Sequence, residues 1–209
     1  MCNITCWDFS TLYTTIDHKD LKKKIKELVI KMFSNHDFIC LSETSAFFSN
    51  KEYKGYHTFS HCQFIELLNF LIDNIYISFG TQLFRQTIGI PMGTNCAPLL
   101  ADLYLFAYEY EFMKSLVSTK KLHLARKFNF TFRYIDDLIS INNSCFGNYV
   151  SSIYPSSLEL KNATDSPELY DKWDDFQFEI VNYQWMDSNI PICPAYGVYI
   201  SRLVAFARA

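Results

Sequence analysis

Apolar positions recur in two rhythms along the 209-residue chain. Residues 3–9 are a short apolar run closing on Asp8-Phe9, which predicts a buried strand. Leu21, Ile25, Leu28, Val29 and Met32 then repeat at helical spacing, while Lys22, Lys23, Lys26 and Lys31 stay off that stripe. Asp17 stands at the N-cap position, with Asp20 three residues on as a variant of the capping box. Residues 34–59 lack a period and predict loop with short strands. A second helix is expected over 60–74. Two strands are expected in 75–88, turning at Phe79-Gly80-Thr81. After the loop Gly89–Asn95, Pro98 fits the first turn of a long helix reaching about Lys114. Its core face is read as Leu99, Leu103, Phe106, Tyr110 and Met113. Residues 130–142 give the clearest hairpin, two apolar runs about an Asp136-Asp137 tip. A helix over 146–154 is stopped by Pro155, a strand follows at 156–161, and a C-terminal helix is expected near 195–208.

Composition narrows the class. Hydrophobic residues at 49% and charged residues at 20% are globular values and exclude wholesale disorder. No apolar run is long enough for a membrane span, and the N-terminus lacks the basic and apolar regions of a signal peptide. Seven scattered Cys with no Cys-x-x-Cys point to a reducing, intracellular compartment rather than a disulfide framework. A net charge of −3 counts against a chain built chiefly to bind nucleic acid. The charge is uneven, however. Residues 19–31 carry six Lys, residues 120–127 add Lys120, Lys121, Arg126 and Lys127, and the stretch from 159 to 187 is acidic. His57, His61 and Cys62 lack an evident fourth ligand, so a zinc site is not expected there.

The acidic tip is the chemical oddity. Adjacent carboxylates repel, and hairpin tips favour Asn-Gly or Asp-Gly, where positive φ is cheap. A solvated acidic turn is one explanation. The other is a divalent cation, since Mg²⁺ takes carboxylate oxygens. Asp8 favours the second, because it ends an apolar strand that can pair with the hairpin. Asp8 and Asp136 would then meet across a site for two metal ions, roughly 3.5–4 Å apart.

The order of segments completes a pattern: strand-Asp8 with Tyr13 five residues on, then Gly89-Ile-Pro-Met-Gly-Thr-Asn-Cys-Ala-Pro98, then Phe132-Arg-Tyr-Ile-Asp-Asp-Leu138. It resembles motifs A, B and C of a reverse transcriptase palm. Gly89–Pro98, the run Asp8–Ile16 and the tail with Tyr170–Phe176, Asn189–Pro191 and Pro194–Tyr199 resemble Penelope-like retroelements in particular. The resemblance covers nearly the whole chain. It implies an α+β palm, a small antiparallel sheet backed by helices, as one domain over 1–209. It implies Asp8 and Asp136 as ligands of two Mg²⁺ ions, and Asp137 as the second carboxylate of the hairpin motif. Tyr13 would gate against a sugar 2′-hydroxyl. Gly89, Met92 and Gly93 would belong to the nucleotide-binding loop, the glycines letting backbone approach template or nucleotide. Met92 stands where many other reverse transcriptases carry Gln and is usual in the Penelope-like subset. Lys161 is a candidate general acid.

The implied partners are an RNA template, a DNA primer and deoxynucleotides, with nuclear action for a retroelement enzyme. Departures from the family are equally specific. The chain starts seven residues before Asp8, so the fingers that grip the triphosphate are expected to be absent, or supplied by a second polypeptide. Asp17 replaces the usual Pro. An internal deletion is expected near 165–170, where Thr164–Pro167 runs almost directly into Tyr170–Lys172, and neither a thumb nor an endonuclease is expected. The expectation is therefore a truncated RNA-directed DNA polymerase palm whose isolated chain polymerises little. The alternatives are a non-catalytic RNA-binding module or an inert remnant.

Overall fold

The computed structural model describes residues 3–91 and 96–164. Strand β1 (Ile4–Phe9) leads into the single-turn helix α1 (Leu12–Thr15) and then α2 (His18–Met32). Asp17 caps α2 as its sequence position suggests, Oδ1 accepting from the Asp20 N–H at 2.9 Å. Of the stripe, Leu21, Ile25, Leu28 and Val29 are buried, and Met32 is half-buried. The aperiodic segment resolves into β2 (Phe38–Leu41), β3 (Ala46–Ser49) and β4 (His57–Ser60). Helix α3 (His61–Asp73) follows at once, behind a full capping box between Ser60 and Gln63. The ribbon β5 (Tyr76–Phe79) and β6 (Gln82–Arg85) turns where expected, at Gly80, whose φ is +60°.

Helix α4 (Ala97–Ser118) is longer than expected, and its core face differs from the sequence reading. Leu103 is buried, but Leu99, Phe106, Tyr110 and Met113 are only half-buried. The buried set is Ala97, Leu100, Ala101, Asp102, Leu103, Tyr104, Leu105 and Ala107, which surrounds the first half of the helix, with Leu116 alone buried farther on. Reading a stripe of large residues passed over the alanines, which let neighbouring elements approach from the other sides. Beyond it come α5 (Leu122–Ala125), β7 (Thr131–Tyr134), β8 (Asp137–Ile141), α6 (Val150–Ile153) and β9 (Leu160–Asn162). The last strand is shorter than the alternation over 156–161 suggests. Leu158 is buried within the turn that precedes it. The expected helix near 195–208 and the expected deletion near 165–170 lie outside the described residues.

Helices and antiparallel sheets together make an α+β fold, arranged as two compact units. The first holds residues 3–12 with 108–164. Its four-stranded sheet has the order β7-β8-β1-β9, all antiparallel. One face carries Trp7, Phe9, Leu138 and Ser140 onto an aromatic core. Phe146 meets Trp7 edge-on at 5.3 Å, and Tyr154 meets Phe9 at 4.9 Å. Phe128 links Phe112 and Phe146 in the same way.

The second unit holds 13–91 with 96–107. Helix α2 packs against α3 through the buried Phe64, Leu68 and Ile72. Lys22 pairs with Asp73 across them at 2.5 Å. The sheet β3-β2-β4 buries Ile39 and Cys40. The Tyr104 hydroxyl donates to the Asp20 carboxylate at 2.7 Å, tying α2 to α4. By contrast every residue of β5 and β6 is exposed, Phe79 at 82%.

Gly89 shows how tightly this unit is threaded. Its φ is +77°, and a Cβ there would lie 2.4 Å from the Tyr13 carbonyl oxygen and 2.9 Å from Thr14 Cα. Three bonds hold the approach. The Gly89 N–H donates to the Ile16 carbonyl at 2.8 Å, and the Ile90 N–H to the Tyr13 carbonyl at 2.6 Å. His18 Nε2 sits 2.7 Å from the Gly89 carbonyl oxygen. Replacing Gly89 with Ala combines a strained φ with a backbone clash and is expected to cost about 3 kcal/mol or more. Gly80→Ala meets nothing within 4 Å and should cost only the left-handed penalty, about 1–2 kcal/mol. Urea unfolding of the two variants checks the ranking, and equal losses would contradict it.

Candidate active site on the four-stranded sheet

Strand pairing places the acidic residues. Asp8 near the end of β1 stands directly opposite Asp137 at the start of β8, and directly opposite Lys161 on β9. Tyr134 on β7 faces Asp137 from the other side. Directly opposed residues share a face, and alternate residues along a strand do too. One row thus runs Tyr134, Asp137, Asp8, Lys161 across the sheet, with Cys6 behind Asp8 on the same face. Asp8, Asp136 and Asp137 are half-buried, and Tyr134 and Lys161 are exposed. The Lys161 ammonium also lies 3.7 Å from the Glu159 carboxylate.

The hairpin tip differs by one residue from the sequence reading. Tyr134 pairs with Asp137, so the two-residue turn is Ile135-Asp136 and Asp137 already belongs to β8. Across β1 and β8 the residue directly opposite Asp8 is accordingly Asp137, with Asp136 one residue before it in the turn. Asp136 joins the end of β1 through its backbone, its carbonyl accepting from the Phe9 N–H at 3.0 Å. Ile135 takes the left-handed conformation, φ +53°. For a β-branched residue that is a genuine outlier, costing about 1–3 kcal/mol. The sequence reading searched the Asp-Asp dipeptide for positive φ, but the strain falls on the residue before it.

The underside of the hairpin holds residues that the sequence reading missed. The Arg133 side chain is 7% exposed and forks onto the Glu109 carboxylate of α4, Nε to Oε1 and Nη2 to Oε2, the latter at 3.1 Å. Its Nη1 donates to the Ile135 carbonyl at 3.1 Å. The Tyr154 hydroxyl donates to Glu109 Oε1 at 2.7 Å. The available signal was a lone arginine inside the apolar run Phe132-Arg-Tyr134, which demands a buried partner. Burial, and next the Glu109 carboxylate, push the Tyr154 phenol well above its ordinary range.

The other expected site residues are placed as follows. Tyr13 is half-buried in α1 of the second unit, its carbonyl accepting from Ile90. At Gly89 a Cβ would meet the Tyr13–Thr14 backbone, so close packing within the chain by itself calls for glycine there. Met92 and Gly93 lie outside the described residues. Among the described residues no three His, Cys, Asp or Glu side chains are grouped to hold a metal by themselves. The Cys62 thiol lies 3.3 Å from His61 Nε2 without a third ligand. The donor set on the sheet still suits Mg²⁺, which binds through one or two carboxylates and completes its shell with water and substrate phosphates.

Two measurements follow from this geometry. Tyr154 stays protonated in the fold while the unfolded phenol ionises near about 10. Its contribution is therefore complete below that pH and is lost as pH rises toward the folded value. Tyr154→Phe should cost about 1.5–3 kcal/mol at neutral pH and flatten the alkaline fall in stability, read by urea unfolding from pH 8 to 11. On the upper face, burial and then the Asp137 carboxylate raise the Cys6 thiol. Asp137→Asn should lower it and speed native-state alkylation of Cys6 at fixed pH, still slower than exposed Cys62. An unchanged rate would place the Asp137 carboxylate elsewhere.

No family model matches the sequence, and no curated protein does. A solved structure, telomerase from Candida albicans in complex with a TWJ fragment of telomeric RNA, is similar at 14% identity and a TM-score of 0.47. The match covers 79% of this chain and 28% of the telomerase chain. The functional reading therefore rests on the residues.

Proposed function

We propose that the chain is the palm of an RNA-directed DNA polymerase of the Penelope-like kind. It would join deoxynucleotides to a primer on an RNA template by nucleotidyl transfer. The observation that carries the reading is the register of the sheet: Asp8 opposite Asp137, with Asp136 in the adjoining turn. Three acidic residues from two distant segments thus stand at one end of the sheet, in the motif order of the resemblance. A solvated acidic turn accounts for Asp136 and Asp137 but not for a third carboxylate set against them across β1.

Asp8 and Asp136 are assigned as the ligands of two Mg²⁺ ions, with Asp137 supporting them. When bound, such ions supply charge neutralisation on the phosphates and a more acidic primer hydroxyl. The chain's own part is to hold the carboxylates in place. The fixed backbone on both sides of the pair means little reorganisation as charge develops. Lys161, opposite Asp8, puts a proton donor at the other flank of the row, suited to the departing pyrophosphate. The resemblance adds Tyr13 as the sugar gate, and Met92 and Gly93 as parts of the nucleotide loop.

The test is Mn²⁺ binding to the purified chain with a deoxynucleotide present, read by electron paramagnetic resonance. Asp8→Asn and Asp136→Asn should each weaken it about tenfold or more, since even loss of outer partners costs that much. Whatever primer extension the chain supports on an RNA template is lost in Asp136→Asn. Metal binding indifferent to both substitutions would overturn the proposal. Salt-sensitive RNA binding under the same indifference would favour the non-catalytic module instead.

A further inference from the structure

The turn Ile135-Asp136 is held from beneath by a group on the opposite face of the sheet from Asp137. Ile135 is β-branched and at φ +53°. Left alone, the turn would relax to negative φ, because an L side chain in the left-handed region meets its own carbonyl. Relaxation would re-aim Asp136 and the first residue of β8, Asp137, together. Three constraints oppose it: the Tyr134–Asp137 pairing, the bond from the Phe9 N–H to the Asp136 carbonyl, and the bond from Arg133 Nη1 to the Ile135 carbonyl.

The third constraint is only as firm as the guanidinium, and here the guanidinium has little freedom. Two of its nitrogens are engaged on both oxygens of Glu109, the Tyr154 hydroxyl fixes one of those oxygens, and the side chain is 7% exposed. Tyr154 in turn packs edge-on against Phe9, the residue whose N–H holds Asp136. A planar fork has a nitrogen left over at a fixed angle once both carboxylate oxygens are taken; an ammonium does not.

We propose that Arg133 is a positioning residue. Anchored by Glu109 and Tyr154, it holds Ile135 in the left-handed turn and thereby sets the direction of the Asp136 and Asp137 carboxylates. The inference deepens the proposed function and rests on it for the purpose of the turn, though not for the turn itself. A plain stability role for the ion pair makes a different prediction, because the turn would survive its removal.

The experiment replaces the pair without leaving a buried charge. Arg133→Met with Glu109→Leu keeps volume and removes both charges, which interiors commonly tolerate. Folding is checked by circular dichroism. The sign of φ at Ile135 is read from its ¹³C shifts and its amide–α coupling, and Mn²⁺–nucleotide affinity is read in parallel. The expected result is a folded chain with Ile135 moved to negative φ and Mn²⁺ affinity down about tenfold. Adding Ile135→Gly should restore affinity to within about twofold, because glycine enters positive φ freely. If the double variant does not fold, Arg133→Lys supplies the same readouts, with loss of the turn expected from the missing fork. Unchanged Ile135 signals in a folded variant would overturn the inference. A wild-type chain that binds no Mn²⁺ would sink the polymerase reading, while the Ile135 signals would still decide the role of Arg133.

Discussion

The pairing of β1 with β8 is the constraint on which the acidic end of the sheet depends. Because side chains alternate, a slip of one residue would turn Asp8 toward the aromatic core and put Trp7 and Phe9 on the open face. The native register accepts a like-charge pair, Asp8 against Asp137, at about 0.2–1 kcal/mol. It gains the burial of Phe9, Leu138 and Ser140 on the other side. Burying an aromatic and a leucine contributes several times that repulsion, about 1.5–3 kcal/mol each. Apolar packing on one face therefore imposes charge proximity on the other.

The two faces are coupled through the hairpin. Arg133 lies on the packed side, where Glu109 and Tyr154 satisfy it, yet it reaches the backbone of the turn that carries Asp136. A buried ion pair is weak evidence for stability, because desolvating both charges offsets much of their attraction. Its value here is geometric: a rigid fork delivers a donor to the carbonyl of a strained residue.

The second unit uses close backbone approach where the first uses charge. Gly89 lets the chain after β1 and the loop before α4 touch through main-chain bonds, with His18 closing the contact. Its lysine-rich helix is not a uniform cationic surface. Lys22 is paired with Asp73 and Lys24 lies near Glu27, so the helix divides its charge between ion pairs and exposed positions.

Element type and order were legible in the sequence because they are local. The Asp17 cap, the Leu21–Val29 stripe, the Gly80 turn and the stop at Pro155 each follow from a few neighbouring residues. The acidic residues were legible as types at suggestive positions. Which of them face one another was not, since pairing Asp8 with Asp137 depends on a register between segments more than a hundred residues apart. The burial all round the first half of α4 was hidden for the same reason: alanines show no stripe until their neighbours arrive. Gly89 announced a backbone need, but the Tyr13 carbonyl that creates it is distant in sequence. The sequence by itself determined which residues could bear charge, cap a helix or turn a strand. Only the tertiary structure decided which face each shares and which backbone each must clear, because register and close approach are properties of pairs of segments and not of either one.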